Sequence, residues 1–119
     1  MKYLLLIHHV DESEIEEAYR VQLLNESIQF CHELNKNGQY IHASPLHPSA
    51  ETIRVTVRDG KRLVTDGPFA ETREQIGGYF MVEAKDIEEA VEIAGRLPSA
   101  QIGTVEVRQV RAIEGLPQV

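Results

Sequence analysis

The sequence predicts an α+β fold of the ferredoxin-like type, a sheet with two helices on one face and an added β-hairpin. Three observations carry the prediction. Apolar periodicity switches between strand-like alternation and helical spacing in the order β, α, β, hairpin, β, α, β. The chain has 119 residues, room for a single domain over 1–119 and for no second one. It shows no internal linker, repeat or low-complexity segment.

Taken in order, residues 2–9 read as the first strand. The run Tyr3-Leu4-Leu5-Leu6-Ile7 is short, and two histidines and the acidic stretch Asp11 to Glu17 end it. That is too short for a signal-peptide core or a membrane span. A helix follows, with Asp11 or Ser13 as its cap and Glu14, Glu16 and Glu17 at the positive end of its dipole. Val21, Leu24, Ile28, Cys31 and Leu34 form its apolar stripe, and Asn37-Gly38 closes it.

Residues 39–43 give a second strand, ended by Ser44-Pro45 and Pro48. The alternation from Thr52 to Val57, then Asp59-Gly60, then Arg62 to Thr65, is a hairpin signature. Tyr79 to Glu83 is the next strand. Asp86 caps a second helix with Ile87, Ala90, Val91, Ala94 and Leu97 on one face, and Pro98 lies just past its end. Thr104 to Val110 alternates and supplies the last strand. Two helices cover one sheet face only, so the apolar opposite face calls for a second copy. A homodimer is expected, with ligand-sized clefts between the sheet faces and the loops.

Composition narrows the functional classes. Twelve Lys and Arg stand against 19 Asp and Glu, a formal charge of −7, which disfavours nucleic-acid binding. Cys31 is the single cysteine, so no intrachain disulfide forms and a cytoplasmic location is expected. No ligand-spaced His/Cys/Glu set and no glycine-rich phosphate loop occurs, so neither a metal nor an organic cofactor is expected.

The candidate chemistry lies in histidines and one carboxylate. Alternation puts Tyr3, Leu5, Ile7 and His9 on one face of the first strand and Leu4, Leu6 and His8 on the other. In the second strand Tyr40, His42 and Ser44 share a face by the same rule. An imidazole of either His9 or His42 can serve as general acid or base, or bond to backbone and water as a strand-end residue. Asp66, where a strand ends at Asp66-Gly67-Pro68, can orient or deprotonate such an imidazole, or cap its own turn. Gly77-Gly78 before Tyr79 admits either a ligand close to the backbone or a β-bulge. Cys31, on the apolar helix stripe, is expected to be inert.

The stretch "LVTDGPFAETREQIGGYFMVEA", with the opening "MKYLLLI", the "VRDG" turn and the closing "VEVRQV", resembles the YCII-related, or DGPF-domain, family over nearly the whole chain. The resemblance implies a dimeric α+β barrel. It also implies a small bacterial protein, in a superfamily that holds monooxygenase-like and isomerase-like enzymes and has some members fused to sigma factors. Related proteins are thought to use a histidine and an aspartate. Aligning "FCHELNKNG" with the family's first helix puts Ser27 where many members carry that histidine, whereas Asp66 is retained. His9 or His42 is then the candidate partner of Asp66, with Pro68, Phe69, Gly77, Gly78 and Tyr79 as candidate ligand-binding residues. Two functions follow: an acid-base enzyme for a small organic acid or lactone-like compound in a dimer-interface cleft, or a non-catalytic binding or interaction module in bacterial regulation.

Overall fold

Strand β1 (Lys2–His9) runs through the interior of a four-stranded antiparallel sheet, between β5 (Gln75–Glu83) and β6 (Thr104–Gln109). Strand β2 (Tyr40–Pro45) pairs with the free side of β5, giving the order β2-β5-β1-β6. This is the ferredoxin-like arrangement that the element order predicts. The structure is a computed structural model and describes residues 1–69 and 73–117.

Helices α1 (Glu17–Lys36) and α2 (Ile87–Arg96) lie on one face. Tyr3, Leu5 and Ile7 of β1 and Phe80 and Val82 of β5 face them and are buried, together with Phe30, Leu34, Ala90, Ile93, Ala94 and Leu97. Alternation along β1 therefore puts its even-numbered residues, Leu4, Leu6 and His8, on the other face, where β5 contributes Tyr79 and Met81. Asp86 caps α2 as expected, accepting from the Glu89 amide at 2.9 Å.

The first helix differs from its expected form. Asp11 caps a separate 3-10 turn (Glu12–Glu14), its carboxylate accepting from the Ser13 amide at 2.8 Å, and α1 begins only after extended backbone at Ile15 and Glu16. Its apolar stripe is half used: Phe30 and Leu34 are buried, whereas Val21, Leu24 and Ile28 stay about half exposed. The carboxy-terminal half is held down by Leu34, by the Phe30–Phe80 ring contact and by Arg96 of α2. The Arg96 guanidinium sits 5.1 Å from the Phe30 ring centroid and 3.4 Å from the Glu33 carboxylate. The amino-terminal half stands off the sheet and leaves a space beneath it.

The hairpin of β3 (Ile53–Arg58) and β4 (Lys61–Asp66) forms its own two-stranded sheet, closed by Asp59 (φ 51°) and Gly60 (φ 74°) in a turn that requires positive φ at both positions. It projects from the body. The Cα radius of gyration, 16.2 Å, exceeds the roughly 13.5 Å of a compact chain this long. Ile53, Val55, Val57 and Val64 share one hairpin face, and each is more than half exposed. At its base Gly67 (φ 94°) donates to the Thr52 carbonyl at 2.7 Å.

Candidate active site

A cleft of about 180 Å³ lies between the raised half of α1 and the sheet, at the end of β1 that carries His9. It is on the helix-covered side of the sheet and is formed by residues of this one chain. The sequence placed clefts between the sheet faces and the loops of a dimer; this one lies under α1, whose near half is not packed down on the sheet. The walls are mostly apolar, with His9, Glu12, Arg20 and three serines, Ser27, Ser44 and Ser99, as polar lining.

His9 reaches the cleft by strand alternation, on the same face as Ile7. Its Nδ1 lies 2.6 Å from the Val10 carbonyl oxygen. A carbonyl only accepts, so in the neutral ring Nδ1 carries the proton and Nε2 the free lone pair. Nε2 is turned onto Gly77. The β1–β5 register shifts between Ile7 and His8, leaving Gly77 as the extra residue of a β-bulge with its open α-carbon beneath the ring. A Cβ built at Gly77 would lie 2.6 Å from the imidazole Cε1. Gly78 abuts β2 instead, its Cβ position 3.0 Å from the Ser44 carbonyl oxygen. The β-bulge reading of the glycine pair holds at Gly77, and the bulge borders the cleft.

His42 lies elsewhere. The β2–β5 register shifts between Tyr40 and His42, so Tyr40 and Ala43 pack on the core while His42 turns to the opposite sheet face. Simple alternation, which put Tyr40, His42 and Ser44 on one face, fails at this bulge. There the His42 ring stacks on Tyr79 at 5.6 Å between centroids, and the Tyr79 hydroxyl is hydrogen-bonded to His42 Nδ1 at 2.8 Å. His8, beside them on that face, contacts the Glu106 carboxylate.

Asp66 ends β4, exposed, opposite Ile53. Among the described residues it bonds to no imidazole, and it lines no cleft together with His9. Pro68 and the largely exposed Phe69 follow it, also outside the cleft walls. The rest of the "AET" segment, 70–72, lies outside the described residues. Within the chain the structure therefore brings together His9, Gly77 and Gly78, and separates them from Asp66, His42 and Tyr79.

Two residues that the sequence did not name as site candidates also border the cleft. Arg20, half buried in the first turn of α1, is one; read alone it looks like one more charge in a charged helix. Ser27 is the other. Cys31 lines the cleft deeper in, where burial pushes its thiol above the usual range and keeps it protonated near neutrality. Among the described residues no group of three or more His, Cys, Asp or Glu side chains could hold a metal ion, and no helix is long and apolar enough to cross a membrane.

This architecture and the sequence motifs agree with the comparison to known families, in which residues 1–114 match the YCII-related domain. The chain belongs to the YCII-related domain family. It is also similar to an uncharacterised protein of Rhizobium meliloti (strain 1021), 37% identical over 78 residues. That match covers 59% of this chain and 63% of the other, so the chain spans less than two thirds of that relative. In this YCII-related domain, Ser27 and His9 line one cleft from opposite sides, helix and strand.

Proposed function

We propose that this YCII-related protein binds a small organic acid or lactone-like compound in the α1 cleft and performs acid-base chemistry on it with His9. The arrangement of His9 carries the reading: Nδ1 is committed to the Val10 carbonyl, which leaves Nε2 as the acceptor of the neutral ring, and the imidazole, lying over Gly77, lines a largely apolar cleft. Such a nitrogen accepts a substrate proton, and the imidazolium so formed returns it to another atom of the substrate, with no redox partner consumed. Ser27 supports the assignment. The resemblance puts the family histidine there, and Ser27 borders the same cleft, so an imidazole from β1 serves the space that one from α1 would serve.

The protein acts as a homodimer in this reading. A two-stranded hairpin is at best marginally stable alone, and this one exposes four β-branched side chains on one face. Leu4, Leu6, Tyr79 and Met81 add an apolar centre to the uncovered sheet face. Asp66, Pro68 and Phe69 then belong to the hairpin base and the dimer contact.

The second reading is a non-catalytic binding or interaction module, and the solvent-facing Asp66 without an imidazole partner favours it. Proton NMR on a panel of small lactones, hydroxy acids and unsaturated acids separates the two. The substitution His9→Asn is the control, because its amide nitrogen overlays Nδ1 and keeps the Val10 bond while Nε2 is lost. Turnover that falls at least about a hundredfold in His9→Asn is expected. Equal turnover in both proteins refutes the assignment of His9, and binding without turnover selects the module.

A further inference from the structure

We propose that Arg20 is the carboxylate anchor of the α1 cleft and that the cleft takes a small monocarboxylic acid with an apolar body. This rests on the cleft being the ligand site. The placement of Arg20 sets it apart from an ordinary surface arginine. Glu16 and Glu17 precede it by four and three residues, the spacings at which opposite charges meet along a helix. Neither pairs with it. Among the described residues no carboxylate comes within ion-pair distance of its guanidinium. The side chain borders the cleft instead, alongside Leu23, Leu24 and Ile28.

A half-buried guanidinium against apolar walls has lost part of its hydration, with no carboxylate partner among the described residues to replace it. An incoming carboxylate supplies that partner, and the planar fork of arginine matches its two oxygens. Three further features narrow the ligand. Glu12 borders the same cleft, so a second carboxylate on the ligand meets a like charge. The predominance of apolar lining calls for a hydrocarbon body. The volume, about 180 Å³, equals about six waters at roughly 30 Å³ each, which calls for a small ligand.

Cys31 provides the assay, being the single cysteine and part of the cleft lining. Its alkylation by uncharged iodoacetamide, at mildly alkaline pH, is followed by mass spectrometry with the intact protein and increasing benzoate, benzamide, pentanoate or glutarate. Benzoate and pentanoate are expected to protect at concentrations at least about tenfold below benzamide and glutarate respectively, the scale of a charge-assisted bidentate pair. In Arg20→Gln, a substitution that suits a helix surface, benzoate should lose its advantage while benzamide protects as before. The proposal is overturned if benzamide matches benzoate in the wild type, if glutarate matches pentanoate, or if the acid preference survives in Arg20→Gln. Any of these, with protection still seen, leaves the cleft as the ligand site. No protection by any of the four removes both the anchor and the site.

Discussion

Replacing Gly77 by alanine tests how the bulge holds His9. The added methyl would sit 2.6 Å from Cε1 and 2.9 Å from Cδ2 of the imidazole, where carbon contacts settle at about 3.5 to 4.0 Å. The ring must therefore move by about an ångström. It can, because the obstacle is the end of a side chain, and Gly77 does not have the positive φ that would strain an alanine. The cost is the Nδ1 bond to Val10, about 0.5 to 1.5 kcal/mol, together with some overpacking. The lower chain entropy of alanine returns about 0.4 to 1 kcal/mol, so the net loss should be about 1 kcal/mol. Gly103→Ala is the contrast, because its methyl would run into the backbone carbonyl of His8 and come 3.0 Å from that carbonyl carbon. Backbone in a sheet cannot swing aside, so about 3 kcal/mol or more should be lost. Urea denaturation measures both, and the imidazole proton resonances of His9 report the ring. Gly77→Ala should unfold near the wild-type midpoint with displaced His9 resonances and weakened ligand binding. Unchanged resonances, or a loss as large as that of Gly103→Ala, would refute the reasoning.

Light scattering should give about twice the 13.4 kDa chain mass at micromolar concentration, and Val55→Asp on the exposed hairpin face should halve it without unfolding the body; a wild-type monomer contradicts the dimer. Asp66→Asn should cost less than about 1 kcal/mol and leave the His9 ring resonances in place, because asparagine closes the same kind of turn; a shifted His9 would show that the two groups meet across a dimer. The Asp11 carboxyl is held below its usual range by hydrogen bonds from Ser13, first its hydroxyl and then its amide. A depressed carboxyl stabilises above its unfolded pKa and stops doing so as pH falls through the folded one. The 3-10 turn beside the cleft should therefore be firm at neutral pH and loosen in acid below about pH 4. The Ser13 amide shift follows it, and loosening as pH rises from 4 to 7 would contradict the assignment.

Local chemistry was enough for much of the fold. Alternation in β1 put Tyr3, Leu5, Ile7 and His9 on one face, which the helices then made the core side. Asp59-Gly60, Asn37-Gly38 and Asp86 mark their turn and caps through backbone angles and hydrogen bonds that involve only near neighbours. The family follows from motifs of the same local kind. Register is different, because it depends on which strands pair. A single extra residue at Ile41 sends His42 to the face away from His9, and another at Gly77 opens the floor under the His9 ring. The height of α1 above the sheet is likewise tertiary. Its stripe of Val21, Leu24 and Ile28 reads as core by period, but Phe30, Leu34 and the Arg96 contacts anchor only the far end, so the near end becomes the roof of a cleft. Arg20 stands out there as well, since one charge among many in a sequence is distinguished only by its place in space, here at the cleft wall with no carboxylate in ion-pair reach among the described residues.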